Sequence, residues 1–195
     1  MNSAVLHAPH RGDGPSAAQV SGTGLWVFIG VASTLFSLFL TAYVMRMDGS
    51  QDWSQLGMPW QLWLSTALLA AGSVQLHRAS RTPDAALARQ RLLTGGACAI
   101  GFLLVQLWGW QVLQAARVAF AGNPAASFFY VLTALHGLHV VGGLAGWALA
   151  LRDPVPWRIA LCARYWHFLL AVWVLLFGAL GWLTPGVVDF ICGRS

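Results

Sequence analysis

The chain has 195 residues, of which 57% are hydrophobic and only 9% are charged, and its formal net charge is +5. Soluble domains carry about 25% charged residues, so this composition argues against a soluble protein and favours one that faces lipid. The basic residues are all arginines, and they lie between apolar stretches rather than in a basic patch interleaved with aromatics. This arrangement argues against a nucleic-acid partner and favours contacts with membrane lipids.

The first 22 residues are mixed and polar, and we expect them to form a mobile tail on the cytoplasmic side of a membrane. They lack the continuous apolar core of a cleavable signal peptide. His7 and His10 form an HxxH pattern in this tail, which is most simply a solvated pair. The remainder, residues 23–195, is predicted to be one membrane domain.

Five charge-free stretches follow the tail, and each is long enough to cross about 30 Å of hydrocarbon as a helix. They predict helices at about 24–45, 57–77, 92–116, 127–151 and 163–183, the last beginning just before Arg164. In lipid only helices and closed barrels satisfy every backbone group, and these stretches are too long and too apolar for barrel strands. The predicted fold is therefore all-α, a polytopic bundle of five transmembrane helices.

Arginine placement predicts the orientation. The side that holds the N-terminus and the second and fourth loops carries Arg11, Arg78, Arg81, Arg89, Arg91, Arg152, Arg158 and Arg164, and the other side carries Arg46, Arg117 and Arg194. Positive charge accumulates in the cytoplasm, so we expect a cytoplasmic N-terminus and a periplasmic or external C-terminus. Arg78, Arg152 and Arg164 border the apolar stretches and are the predicted contacts with lipid headgroups.

Histidines are the strongest potential ligands inside the predicted spans. His136 and His139 lie on one face of the fourth helix, whereas His167 opens the fifth. The depths of His139 and His167 differ by roughly 15 Å, too far for one haem to use both. No carboxylate or cysteine completes a metal site beside His136 and His139. We therefore predict that the three histidines hydrogen-bond between helices, and that the chain holds no catalytic residue, haem or metal.

The face that carries the two histidines continues into glycines. Gly143 and Gly146 follow by helical steps, and Gly142 with Gly146 gives the GxxxG spacing that lets another helix approach closely. All six acidic residues are aspartates outside the charge-free stretches. A proton relay built from carboxylates is therefore not expected within this chain.

Two segments carry a resemblance to a known family: FFYVLTALHGLHVVGG, residues 128–143, and RYWHFLLAVWVLLF, residues 164–177. They resemble the most characteristic stretches of subunit III of the haem-copper oxidases. The segments GLWVFIGVASTLFSLFLTAYV, STALLAAGS and GFLLVQLWGW extend the likeness over nearly the whole chain after residue 22. Five predicted helices are similar to the short bacterial form of that subunit.

The resemblance implies a subunit of the bacterial inner membrane that has no haem or copper of its own. It would pack beside the catalytic subunit I, with subunit II in the same complex, and the haem and copper would lie in those partners. The resemblance also implies bound phospholipid in a helical cleft and support of enzyme stability and proton uptake during aerobic electron transport. Tyr165 and Trp166, together with His136, His139 and His167, would be structural residues.

The chain departs from the family pattern at acidic positions. The family usually has glutamates where this chain has Ala32 and Gly109, and an aspartate close to Leu169 or Leu170. These losses indicate a divergent branch of a cytochrome c oxidase, a quinol oxidase or a nitric oxide reductase, so electron donor and acceptor stay open. Alternatives from other classes are a small stand-alone cytochrome b using His136 or His139, and a transporter, which the lack of inverted repeats disfavours.

Overall fold

The computed structural model describes residues 15–47, 53, 57–116 and 123–191, and these residues form helices and no strand. The helices are α1 Ala17–Met47, α2 Gln61–Ser80, α3 Ala85–Ala115, α4 Pro124–Arg152, α5 Pro156–Trp182 and α6 Pro185–Ile191. Predictions for His7, His10, Arg11, Arg117 and Arg194 lie outside the described residues. The fold class is all-α, with a short sixth helix that the sequence did not predict.

Within the described ranges, four helices are long and apolar enough to cross a membrane: α1, α3, α4 and α5. Helix α2 has only 20 residues and includes Gln61, Ser65, Ser73 and Arg78, which lower its average hydropathy. The chain is therefore a multi-pass helical membrane protein. Of the five predicted spans, four correspond to helices that are long and apolar enough to cross a membrane. The remaining one corresponds to α2, which does not meet these criteria.

Helix α1 begins earlier than predicted. It starts at Ala17 instead of about residue 24, so residues 17–22 are helical and not part of a tail. A reciprocal capping pair explains this start: the Ser16 N–H donates to Gln19 Oε1 (2.8 Å), and the Gln19 N–H donates to Ser16 Oγ (3.3 Å). Such a pair satisfies backbone donors that the first helical turn would otherwise leave without partners.

Helices α3 and α5 also begin before the predicted positions. Helix α3 starts at Ala85 rather than 92, and α5 starts at Pro156 rather than 163. Asp84 Oδ1 accepts from the backbone N–H groups of Ala86 (2.9 Å) and Leu87 (3.5 Å), which caps α3. Charged side chains limit how much of a helix lies in hydrocarbon, but capping residues and first-turn prolines decide where the helix begins.

Helices α2 and α3 lie in close contact. A Cβ added at Gly72 would lie 3.2 Å from both Cys98 Cβ and Gly95 O, and one at Gly95 would lie 2.8 Å from Leu76 Cγ. Absent side chains therefore let the two backbones approach closely, as small residues commonly do in membrane bundles.

Helices α4 and α5 pack against each other and against α1; α5 also packs against α2, and α4 against α3, which in turn packs against α2. Helix α1 lies at the margin. Only 11% of its most apolar 18-residue stretch is buried, compared with 39% in α3, α4 and α5. Much of the α1 surface is therefore exposed on the outside of the bundle.

Candidate functional site

His136 lies at the centre of the bundle and is completely buried. Its ring centroid lies 6.3 Å from that of Phe36, 5.7 Å from that of Phe102 and 5.2 Å from that of Trp173. Neither ring nitrogen has a hydrogen-bond partner among the described residues. The predicted interhelical hydrogen bond is therefore wrong for His136, which instead packs as an aromatic ring among aromatic rings of α1, α3 and α5.

His139 bonds within its own helix. Its Nδ1–H donates to the carbonyl oxygen of Leu135 at 2.8 Å, so the interhelical bond predicted for this imidazole is also wrong. The ring packs against Phe36 of α1, with centroids 5.2 Å apart. The backbone of His139 does join two helices, because its carbonyl oxygen accepts from the Tyr165 hydroxyl of α5 at 3.0 Å.

His167 reaches helix α2 through both ring nitrogens. Its Nδ1 lies 2.7 Å from Ser73 Oγ, and its Nε2 lies 3.1 Å from Nδ1 of His77. Ser73 is fully buried, whereas His167 is exposed. Three histidines on α4 and α5 thus have three different environments, and they do not converge on one site.

Three tryptophans also tie the helices together, although their partners were not predicted from the sequence. The indole N–H groups of Trp147, Trp110 and Trp173 donate to Leu92 O (2.7 Å), Thr133 Oγ1 (3.2 Å) and Thr66 Oγ1 (2.8 Å). A tryptophan in the middle of a span needs an acceptor, because its N–H finds none in hydrocarbon. This need for an acceptor is the sequence feature that could have predicted such bonds. Trp166 is the exception, because it is fully buried and its Nε1 has no hydrogen-bond partner among the described residues.

Thr66→Val should test these ties at the α2–α5 contact. The change keeps the side-chain shape but removes the oxygen that accepts from Trp173, so we expect a loss of about 0.5–1.5 kcal/mol of unfolding free energy. Thr34→Val is the matched control, because the Thr34 hydroxyl is exposed and bonds only to Gly30 O of its own helix. Unfolding of the detergent-solubilised variants measures both, and equal stabilities would contradict this role for Thr66.

A cleft of about 500 Å³ opens between α1, α4 and α5. It is lined by Ser21, Leu25, Phe28, Gly142, Gly143, Gly146, Leu149, Ala150, Trp157, Arg158, Leu161, Cys162 and Tyr165. Gly142 and Gly146 are exposed in its wall, and a Cβ added at either would meet no atom within 4 Å. The close helix contact predicted for this pair is therefore wrong within the chain.

Gly143 is the glycine of this group that does allow a close contact. A Cβ there would lie 3.0 Å from Tyr165 Cε1 and 3.2 Å from Leu169 Cδ1. The α4–α5 contact thus uses one glycine, while Gly142 and Gly146 widen the cleft.

The cleft is apolar except near the start of α5. Arg158 donates to Asp153 Oδ2 at 2.8 Å, and its guanidinium lies 5.2 Å from the centre of the Trp157 ring. The predicted headgroup contacts Arg152 and Arg164 are exposed. Arg78 is exposed on α2. Arg158 was not among those predicted contacts, although it is the arginine that lines the cleft.

The positions at which the family resemblance places acids are apolar and enclosed. Ala32, Gly109 and Leu169 are buried, and Leu170 is half-buried. Within the described residues, no group of three or more His, Cys, Asp or Glu side chains lies close enough to hold a metal ion. The apolar cleft walls suit an apolar ligand.

Comparison with known proteins identifies relatives over most of the chain. Cytochrome c oxidase subunit 3 of Synechocystis sp. is 30% identical over 175 residues, which cover 79% of this chain and 72% of that protein. The chain belongs to the cytochrome c oxidase subunit 3 family. The resemblance carried by the α4 and α5 segments is thus confirmed.

Two further relatives show how broad the likeness is within the family. Cytochrome c oxidase subunit 3 of Thermostichus vulcanus is 28% identical over 83% of this chain and 86% of its own length. A protein named probable quinol oxidase subunit 3 from Staphylococcus aureus is 25% identical over 83% of this chain and 88% of its own length. No family model matches the chain. The names of these relatives therefore refer to two different electron donors, cytochrome c and quinol.

Proposed function

We propose that this subunit 3 family member is a non-redox subunit of a terminal respiratory haem-copper oxidase. The observation that carries the proposal is its 30% identity to the Synechocystis subunit over 79% of the chain. The environment of His136 supports the non-redox part: three aromatic rings enclose the imidazole. An enclosed ring leaves no room for a haem to approach its nitrogens.

The chain is proposed to cross the bacterial inner membrane five times. Helix α2 has 20 residues and so measures about 30 Å, the thickness of the hydrocarbon core. Its polar residues Gln61, Ser65 and Ser73 are buried against neighbouring helices, so they do not face lipid. With α2 as a span, the arginine excess puts the N-terminus in the cytoplasm and the C-terminus outside.

The partners proposed are catalytic subunit I and subunit II of the oxidase, which would hold the haem and copper. The relatives are named as numbered oxidase subunits, and a numbered subunit presupposes others. The exposed apolar surface of marginal helix α1, which includes Val31 and Leu38, is large enough to pack against another subunit or lipid. Support of enzyme stability and proton uptake would act through such packing.

The cleft is proposed to bind phospholipid. Its apolar walls suit an acyl chain, and Arg158 lies where an anionic headgroup would sit.

Gly146→Phe should place a ring in the cleft and reduce the phospholipid retained by the purified protein, with little loss of stability. Gly30→Phe is the control, because Gly30 is also exposed with no atom within 4 Å of an added Cβ. Mass spectrometry of retained lipid that shows equal amounts in both variants would contradict the assignment.

Affinity purification of the tagged chain from its native membrane in mild detergent tests the proposed assembly. We expect a larger haem-bearing subunit to elute with it in a fixed ratio. Elution of the chain alone, at detergent concentrations that leave other respiratory complexes intact, would count decisively against an oxidase subunit. Assays of that complex with reduced cytochrome c and with a quinol then identify its electron donor.

A further inference from the structure

The contact between α2 and α5 brings two imidazoles together, one in the last turn of α2 and one well inside α5. Nδ1 of His77 and Nε2 of His167 lie 3.1 Å apart, and their ring centroids lie 5.1 Å apart. His77 neighbours Arg78 and is half-buried, while His167 follows Arg164 by three residues and is exposed. The pair is therefore held by two helices yet open to the surroundings.

The spacing of these rings matches that of two neighbouring ligands on one metal ion. A tetrahedral Zn²⁺ with bonds of about 2.0–2.1 Å holds two imidazole nitrogens about 3.3 Å apart and the ring centroids about 5.2 Å apart. Rings joined end to end by a straight hydrogen bond of the observed length would have centroids about 5.4 Å apart. The observed 5.1 Å means that the rings meet at an angle, as ligands of one ion do.

A second hydrogen bond orients one of the two rings. Ser73 Oγ lies 2.7 Å from Nδ1 of His167, the nitrogen that faces away from His77. Metal-binding histidines usually donate this second ring N–H to an oxygen, which fixes the tautomer and directs the other nitrogen at the ion. Because Ser73 is completely buried in α2, this oxygen is held in place by the bundle.

We propose that His77 and His167 form a two-histidine site for a divalent transition-metal ion such as Zn²⁺ or Cu²⁺. The ion takes the place of the proton between the two nitrogens, and His77 then carries its ring proton on Nε2, so both imidazoles bind as neutral ligands. Water completes the coordination, since the described residues supply no third ligand there. Imidazole donors favour these ions over Mg²⁺ and Ca²⁺, which prefer oxygen. The inference does not depend on the proposed oxidase role.

The surrounding charges set the expected strength of the site. Arg78 and Arg164 are close in sequence to the two ligands and are cationic, and the salt bridge found among the described residues, between Arg158 and Asp153, involves neither of them. They oppose a second positive charge, so the ion should bind reversibly and be removed by a chelator. Binding should also weaken as pH falls, because protonated imidazole cannot coordinate a metal.

Zn²⁺ binding to the full-length chain in detergent tests the site, with bound metal counted after equilibrium dialysis. All variants carry His7→Gln and His10→Gln, because the HxxH pair of the tail is a second candidate for binding. We expect one Zn²⁺ per chain, at least tenfold weaker binding in His77→Gln and in His167→Gln, and about tenfold weaker binding in Ser73→Ala. His139→Gln is the matched control and should bind as tightly as its parent.

A spectroscopic measurement separates loss of the site from loss of the fold. Electron paramagnetic resonance of bound Cu²⁺ should show coupling to two imidazole nitrogens in the parent chain and to fewer in His167→Gln. Zn²⁺ binding that is unchanged in His77→Gln and His167→Gln would overturn the proposal. So would the absence of stoichiometric binding in a parent chain that elutes as one folded species.

Discussion

Gly96→Ala should destabilise the bundle by about 2 kcal/mol or more, although alanine is normally the better helix former. A Cβ at this position would lie 2.8 Å from Nε1 of Trp147 and still closer to its Cε2 and Cζ2. The indole cannot simply move away, because its N–H donates to Leu92 O at 2.7 Å. Displacing it leaves a buried donor without a partner, which adds to the cost of overpacking.

Gly142→Ala supplies the matched control for this change. Gly142 lies on α4 in the cleft wall, and an added Cβ meets no atom within 4 Å. The substitution should therefore be neutral or stabilise the chain by up to about 1 kcal/mol. Thermal unfolding of both variants in the same detergent gives the comparison. If Gly96→Ala is as stable as Gly142→Ala, the packing of Trp147 on α3 is not as described.

His136→Ala should cost about 3 kcal/mol of unfolding free energy, whereas His136→Leu should cost less than about 1.5 kcal/mol. Alanine leaves a cavity between the rings of Phe36, Phe102 and Trp173. Leucine fills a similar volume, and it removes no hydrogen bond found in the described part of the chain, where neither ring nitrogen of His136 has a partner. Reversible unfolding in mixed micelles measures the difference.

Leu138→Ala is the control for truncation on the same helix. Leu138 is 68% exposed, so its truncation should change stability little. If leucine at position 136 were as damaging as alanine, the imidazole would have to act through its nitrogens, as a ligand or a hydrogen-bonding group. That result would reopen the alternative of a membrane cytochrome that uses His136.

The sequence predicts the number and order of the long helices well, but their ends poorly. Apolar composition is a strong signal, since a span must be apolar along its whole length. Most predicted ends were placed beside arginines, yet α3 runs through Arg91 and α5 already includes Arg158. Arginine side chains on a helix can reach the headgroups, so they end the hydrocarbon-facing part without ending the helix. Asp84 and Pro156 mark the real starts.

The contacts of individual residues are harder to predict, because lipid-facing and bundle-facing surfaces of a membrane helix are both apolar. No polar face marks which glycines meet a helix. The GxxxG spacing of Gly142 and Gly146 therefore suggested a helix contact, whereas the close contacts use Gly143, which the sequence also suggested, and Gly72, Gly95 and Gly96, which it did not. The latter glycines become identifiable only when the neighbouring helices are known.

The contacts of the histidines were equally hard to predict from the sequence. Their spacing placed His136 and His139 on one face, but it did not reveal that one ring packs against aromatics and the other bonds to Leu135 O. His167 finds its partners Ser73 and His77 more than 85 residues earlier in the chain. Such partners depend on which helices are adjacent in space, and one sequence does not contain that information directly.

That this subunit carries no redox group is tested most directly by the visible absorption spectrum of the chain after its separation from the purified complex. The chain should show no Soret band, and all haem should remain with the larger subunit. A Soret band of one haem per chain that disappears in His136→Leu or His139→Leu would contradict a non-redox subunit and identify a cytochrome instead.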